Sequence, residues 1–121
     1  MKFRRPIVEH KVIEIFGIEA GLILDFNVIL PKIKKFIRET GLKVLAEKYH
    51  NFKPFGTTLI FILSSSHLAV HTWPEYRYLH MDLVTCARIP SNKKLTKVLG
   101  KTFQVLDKQV NIRRIKYCNR L

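Results

Sequence analysis

The stretch from Leu63 to Cys86 restricts the fold of this chain more than any other part of the sequence. It reads LSSSHLAVHTWPEYRYLHMDLVTC, with polar and apolar residues alternating on both sides of Pro74. Alternation with a period of two is typical of β-strands that bury one face, and a proline between two such runs marks a turn. The stretch therefore predicts a hairpin of two strands, Ser66–Trp73 and Tyr78–Cys86.

The same stretch concentrates chemically reactive side chains. It holds three consecutive serines, three of the five histidines, the only tryptophan and one of the two cysteines. Each of these has a structural explanation on its own, since serines form turns and a cysteine is often a small buried hydrophobe. Buried polar groups, however, cost free energy unless they are paired, so a structural core does not need this mixture. Together the residues indicate a functional site.

The flanking segments predict four more strands and two amphipathic helices. The first helix, Asn27–Thr40, has apolar residues at helical spacing and ends at Gly41, and Pro31 suggests a true start near residue 30. The second begins after the N-cap Ser91, with Leu95, Val98, Leu99, Phe103 and Leu106 on one face. The additional strands are Val8–Ile18, Leu42–Phe52, Leu59–Leu63 and Gln109–Cys118.

The order β-α-β-β-β-β-α-β predicts an α+β fold, a two-layer sandwich in which two helices pack on one face of an antiparallel β-sheet. With 121 residues and 47% apolar content, we expect a single domain spanning residues 1–121. No apolar run reaches the roughly 18–20 residues of a membrane span, and the N-terminus lacks the apolar segment of a signal peptide. We therefore expect a cytoplasmic protein, in which Cys86 and Cys118 are free thiols.

A metal site is not expected from the histidines. His67 and His71 lie four residues apart on a predicted strand, which separates them by about 13 Å at 3.3 Å per residue. Two side chains that far apart cannot bind one ion. The metalloprotease pattern also requires a glutamate directly after the first histidine, and Leu68 stands there.

The spacing of the motifs resembles a known enzyme family. The segment SHLAVHTWPE, with Thr85 and Cys86 ten residues beyond its final glutamate, closely resembles the pyruvoyl-dependent S-adenosylmethionine decarboxylases of bacteria and archaea. That family has S-H-hydrophobic-x-hydrophobic-H-T-W-P-E followed by D-x-x-T-C. Upstream, the loop FKPFGTT, residues 52–58, is similar to the family's F-x-P-x-G-x-S. The strong match covers Phe52 to Cys86.

The resemblance implies that the chain cleaves itself between Ser65 and Ser66. The Ser66 hydroxyl attacks the Ser65 carbonyl to form an ester, which loses the Ser66 α-proton and eliminates. The resulting dehydroalanine hydrolyses to a pyruvoyl group and ammonia. His71 matches the processing base and Thr58 a helper residue, and imidazole titrates in the range that a base needs. The products are a β chain, residues 1–65, and an α chain, residues 66–121.

The resemblance also assigns the decarboxylation. The pyruvoyl carbonyl, derived from Ser66, forms a Schiff base with the amine of S-adenosylmethionine and withdraws electrons as the carboxylate leaves. Cys86 matches the proton donor, Glu75 the carboxylate that binds the ribose hydroxyls, and Phe52 the aromatic residue that stacks on adenine. The product supplies the aminopropyl group for spermidine synthesis. Processed units of this family usually pair as homodimers, and an exposed sheet edge is a natural place for pairing.

Three features depart from the family pattern, and they leave alternatives open. Ser65 stands where many members have glutamate, Thr58 replaces a serine, and Ala87 and Arg88 follow the T-C pair where glycine is usual. A relative that decarboxylates arginine is one alternative. A non-processing paralogue that activates a partner is another.

The net charge of +13 suggests a third alternative, a basic nucleic-acid-binding module. It does not explain why His71, Glu75 and Cys86 occur at this spacing, so nucleic acid is not an expected partner. The decarboxylase interpretation in turn leaves the charge unexplained. A lysine-rich solvated surface accounts for it without any partner.

Overall fold

The computed structural model describes residues 3–118, and within this range it has six strands and two α-helices in the predicted order. Their bounds are β1 Glu9–Phe16, α1 Phe26–Thr40, β2 Val44–Asn51, β3 Thr57–Leu63, β4 Ser66–Trp73, β5 Tyr78–Thr85, α2 Asn92–Phe103 and β6 Val110–Arg114. Short 3-10 turns occupy Ala20–Leu22, Pro74–Tyr76 and Asp107–Gln109.

The six strands form one antiparallel sheet in the order β2-β3-β4-β5-β1-β6. Strands β2 to β5 follow one another as a meander, and β1 lies between β5 and β6. Both helices pack on the same face of the sheet, where their apolar residues meet alternate strand residues in one core. The predicted two-layer α+β sandwich is confirmed. The core includes Ile13, Ile33, Phe36, Phe61, Val70, Met81, Leu99 and Phe103.

The first helix begins earlier than Pro31 suggested. Asp25 is its N-cap, because the carboxylate accepts a hydrogen bond from the backbone N–H of Val28 at 3.2 Å. The helix then continues through Pro31, which is exposed, so the expected start near residue 30 is wrong. Its end was predicted correctly, since Gly41 follows Thr40 with a φ of 80°, a conformation that favours glycine.

The second helix is capped as expected but is shorter. The Ser91 hydroxyl accepts a hydrogen bond from the Lys94 backbone N–H at 3.2 Å. The helix ends at Phe103 because Gln104 adopts the left-handed conformation, with a φ of 56°. Leu106 therefore lies beyond the helix and is 61% exposed, so its predicted place on the buried helix face is wrong.

Several strands differ in length from the prediction. The last strand stops at Arg114 rather than at Cys118, because Arg114 pairs with Lys11 close to the beginning of β1. Strand β1 ends at Phe16 rather than Ile18 because Gly17 turns the chain with a φ of 72°. Strand β3 begins two residues earlier than expected, at Thr57, and Cys86 directly follows the end of β5.

The face of the sheet opposite the two helices, called the open face below, is not covered by any element in residues 3–118. The strand register places all five histidines on it. Large apolar side chains also lie there with substantial exposure. Ile60 is 39% exposed, Ile62 54% and Trp73 40%. Within the described residues, neither helix has the length and apolar character needed to cross a membrane.

Candidate active site

One group of candidate residues, called the serine end below, consists of Ser65, Ser66, Thr85 and Cys86. Ser64 and Ser65 form the two-residue turn between β3 and β4, and Ser66 is the first residue of β4. Ser66 has a φ of 146°, a value that residues with a side chain rarely adopt. The hairpin therefore stores backbone strain at the residue whose amide bond is the predicted cleavage point.

The carbonyl group of Ser65 is held by the end of β5. Its oxygen accepts a hydrogen bond from the backbone N–H of Cys86 at 3.0 Å, and the Cys86 Sγ lies 3.5 Å from the same oxygen. A donor at this distance stabilises negative charge that develops on a carbonyl oxygen under attack. The neighbouring hydroxyl of the buried Thr85 donates to the Ser65 Oγ at 2.8 Å, which fixes the turn further.

A second group, called the histidine end below, consists of Phe52, Thr58, His71 and Glu75. Strands β3 and β4 pair Thr58 with His71, and the Thr58 Oγ1 lies 2.9 Å from the His71 Nδ1. This hydroxyl fixes the orientation of the imidazole ring. Burial, and then the nearby His80, lower the pKa of His71 below its ordinary value of 6.5, while Asp82 has the opposite effect. His71 is therefore neutral near pH 7 and can accept a proton.

A cleft of about 490 Å³ opens beside His71, a volume that suits a small-molecule ligand. Gly56 lines this cleft with a φ of 103°. A Cβ added at this position would lie 3.1 Å from the Thr72 carbonyl oxygen. The cleft combines aromatic faces with one carboxylate and one ammonium group. It is lined by Phe52, Lys53, Pro54, Phe55, Gly56, Thr58, His71, Thr72, Trp73 and Glu75.

The two groups lie at opposite ends of β4. Ser66 begins this strand and His71 is five residues further on, which separates their Cα atoms by about 16 Å. Within one chain, His71 therefore cannot reach the Ser66 backbone. The fold assembles each half of the predicted site, and it does not bring the two halves together.

Sequence reasoning missed several polar residues that surround His71 on the open face. Glu14 accepts hydrogen bonds from the Tyr78 hydroxyl at 2.6 Å and from the Asn111 amide at 3.1 Å. Asp82 contacts His10 at 2.6 Å through the His10 Nε2. Alternation along β1 puts His10 and Glu14 on one face, but only the strand register brings that face next to β5.

Comparisons with known proteins identify the family. The profile of the S-adenosylmethionine decarboxylase family matches residues 9–116. A protein from Clostridium botulinum strain Langeland, named S-adenosylmethionine decarboxylase proenzyme, is 32% identical over 106 residues, which cover 88% of this chain and 90% of the relative. A protein of the same name from Thermotoga petrophila is 34% identical over 82 residues, covering 68% of this chain and 63% of the relative.

The fold agrees with this relationship. The crystal structure of the adenosylmethionine decarboxylase from Aquifex aeolicus VF5 matches with a TM-score of 0.77 at 22% identity, covering 92% of this chain and 90% of that one. The fold, with two helices on one side of a six-stranded antiparallel sheet, is therefore similar to that of a solved structure. Because the family profile and the relative from Clostridium botulinum both match this chain over most of its length, the chain belongs to the S-adenosylmethionine decarboxylase family.

Proposed function

We propose that this chain is made as a proenzyme, cleaves its own Ser65–Ser66 bond and then decarboxylates S-adenosylmethionine. The observation that carries the proposal is the contact between the Ser65 carbonyl oxygen and the Cys86 N–H at 3.0 Å, next to the strained backbone of Ser66. This contact places a ready hydrogen-bond donor on the bond that the family motif marks for cleavage. The names of the relatives support the substrate and the proenzyme state.

The cleavage uses groups that the serine end supplies. The Ser66 Oγ attacks the Ser65 carbonyl carbon, and the negative charge that forms on the carbonyl oxygen is held by the Cys86 N–H. The C–N bond breaks and the released Ser66 nitrogen takes up the hydroxyl proton, leaving an ester. Loss of the Ser66 α-proton to a base then expels the residue 1–65 carboxylate, and hydrolysis of the remaining dehydroalanine releases ammonia. Relief of the strain at Ser66 favours the first step.

A pyruvoyl group at residue 66 fits the serine end. Residue 66 is exposed at the beginning of β4. Both the N–H and the thiol of Cys86 contact the carbonyl oxygen of Ser65, the residue before it. Once formed, the group supplies the electron sink for decarboxylation. The Cys86 thiol is exposed and lies 3.5 Å from the Ser65 carbonyl oxygen, next to residue 66, and we assign to it the donation of the replacement proton to the substrate α-carbon.

The histidine end binds the substrate. Phe52 is 51% exposed and presents a ring face to the cleft, which suits stacking against a purine and also attracts a sulfonium cation. Glu75 lies in the turn after β4 and contributes the cleft's only carboxylate among the described residues. We assign Phe52 to the adenine and Glu75 to the ribose hydroxyls.

We infer that the two ends act together across a homodimer. Within one protomer they are about 16 Å apart, which is too far for His71 to act as a base at Ser66. The open face also exposes Ile60, Ile62 and Trp73, which a second sheet would cover. In such a dimer the open faces of two protomers pack together around a two-fold axis that is perpendicular to β4. The serine end of one protomer then lies against the histidine end of its partner.

This arrangement replaces the edge pairing expected from the sequence. The edge strand β2 is interrupted by a bulge between Val44 and Ala46, and β6 spans only Val110–Arg114. Bulges and short strands are features that discourage pairing at an edge. A dimer through the open face also buries the five histidines, whereas edge pairing leaves them in solvent.

The experiment that tests the substrate is the release of labelled CO2 from carboxyl-labelled S-adenosylmethionine and, in parallel, from arginine. We expect release from S-adenosylmethionine and none above background from arginine. Activity on arginine alone would reject the substrate assignment. We place the enzyme in the cytoplasm, because the exposed thiol of Cys86 needs a reducing compartment to remain a proton donor.

A further inference from the structure

A row of six polar side chains crosses the whole sheet on the open face, one from each strand. The register pairs each with the next, so that the row runs His50, Thr58, His71, His80, Glu14 and Asn111. The row on one side of it is mixed, with the apolar Ile60, Ala69 and Val12 between the charged Lys48, Asp82 and Arg113. The proposed base His71 is thus in line with a second histidine and a carboxylate, neither of which belongs to the family motif.

The carboxylate at one end of this row is held ionised. The Tyr78 hydroxyl donates to one Glu14 oxygen at 2.6 Å and the Asn111 amide donates to the other at 3.1 Å. The hydrogen bond from Tyr78 is the largest cause that lowers the pKa of Glu14 below 4.5, and a charge on His80 acts in the same direction. Glu14 therefore remains an anion at neutral pH and faces His80 across the β1–β5 pair.

His80 lies between this anion and His71. The His71 and His80 rings are tilted with their centroids 6.0 Å apart, which is too far for a hydrogen bond but close enough for two charges to repel. A proton on His80 is balanced by Glu14 on one side. The same proton opposes a second one on His71 on the other side.

We propose that His80 is a positioning residue for the self-cleavage reaction: it lies directly opposite His71 on β5 and beside the Glu14 carboxylate, so that a proton taken up by the two imidazoles is held on the Glu14 side and His71 stays free to accept one. The proposal rests on the proposed function, because it gives His71 the role of processing base. The row then runs from the Glu14 carboxylate through the imidazoles of His80 and His71 to the hydroxyl of Thr58.

Among the ionisable groups around His71, His80 is the only one that pairs with it directly across strands. Strand β5 also presents Asp82, which favours protonation of His71 and so opposes His80. Strand β3 contributes only the Thr58 hydroxyl, and β2 places His50 on the far side of it. The loop and turn around the adjacent cleft contribute Lys53 and Glu75, one of each sign.

The direct test is an NMR titration of the His71 imidazole in the full-length Ser66→Ala chain, which cannot cleave. The His71 signals are assigned by their loss in a Ser66→Ala, His71→Asn chain. We expect the additional change His80→Asn to raise the His71 titration midpoint, because the repelling charge is gone. We expect His80→Lys, which keeps a charge, to leave the midpoint at or below that of the Ser66→Ala chain. A His71 midpoint that stays unchanged or falls with His80→Asn would overturn the proposal. If the His80→Asn chain does not fold, His80→Gln is used in its place, and its midpoint is judged in the same way.

A second readout uses the cleaving chain and separates this proposal from the proposed function. If the unaltered chain cleaves, the acidic limb of its cleavage-rate profile should move to higher pH with His80→Asn and return with His80→Lys, while the plateau rate stays the same. An equal loss of rate at all pH values in both variants would show a structural role and contradict the proposal. Failure of the unaltered chain to cleave rejects the proposed function instead, and the titration still decides the role of His80.

Discussion

The backbone N–H of Cys86 donates a hydrogen bond of 3.0 Å to the carbonyl oxygen of Ser65. This contact joins the turn before β4 to the end of β5, and it places the proposed proton donor beside the proposed cleavage point. One residue thereby contributes two different groups. In the proposed mechanism its N–H serves the cleavage reaction, and its thiol serves the decarboxylation that follows.

Because the N–H belongs to the backbone, the two roles of Cys86 can be separated. We expect Cys86→Ala to cleave at Ser65–Ser66 within a few-fold of the normal rate but to lose about 100-fold or more in decarboxylation, the usual contribution of a positioned acid. Cleavage is followed by denaturing electrophoresis and decarboxylation by CO2 release. Cys118→Ala is the matched control and should keep both activities. Full decarboxylation by Cys86→Ala would contradict the assignment of its thiol.

The separation of Ser66 and His71 along β4 predicts complementation between two inactive chains. Ser66→Ala and His71→Asn should each fail to cleave when produced alone. When co-produced with different tags, a mixed dimer pairs the intact Ser66 of one chain with the intact His71 of the other. We therefore expect only the His71→Asn chain to be cleaved, as measured by tag-specific electrophoresis. Absence of cleavage in isolated mixed dimers would contradict a site shared between protomers.

The conformation of Gly56 predicts that the cleft is sensitive to one added methyl group. Gly56→Ala must accommodate a φ of 103° and a Cβ 3.1 Å from the Thr72 carbonyl oxygen, which should cost about 1–3 kcal/mol. We expect a lower melting temperature and a raised KM for the substrate. Gly21→Ala is the matched control, since its Cβ meets nothing within 4 Å and its φ is not positive. Equal melting temperatures for the two variants would contradict the prediction.

The environment of His71 predicts the pH dependence of self-cleavage. Burial is the main cause that lowers the pKa of His71 below 6.5. A base works in its neutral form, so its contribution is complete above the lowered pKa and disappears as the pH falls through that value. The cleavage rate, measured from about pH 5 to pH 8, should reach half its plateau below pH 6.5. A half-plateau at or above 6.5 would contradict the inferred role or environment of His71.

The local elements could be predicted from the sequence because they depend on short-range periodicity. Strand β4, Ser66–Trp73, was predicted with its observed bounds, and the N-cap Ser91 was identified correctly. The errors occur where another element decides the outcome. Strand β6 ends at Arg114, which pairs with Lys11 near the beginning of β1, and Leu106 leaves the helix because Gln104 turns the chain.

The site was predicted in part for the same reason. Motif spacing indicated Thr58 and His71, and cross-strand pairing brings them into contact at 2.9 Å. The separation of His71 and Ser66 along β4 was not predicted, and its consequence for the site becomes clear only with the open face in view. Glu14 could not be placed between His80 and Asn111, because the position of β1 between β5 and β6 is a long-range feature that no local pattern encodes.

The measurement that tests the central claim most directly is the intact mass of the purified protein under denaturing conditions. The account predicts two species, residues 1–65 with a normal carboxyl terminus and residues 66–121 with a pyruvoyl group in place of Ser66. The Ser66→Ala chain should instead remain whole. A single 14.2 kDa species from the unaltered chain after long incubation would contradict self-cleavage, and with it the proposed origin of the cofactor.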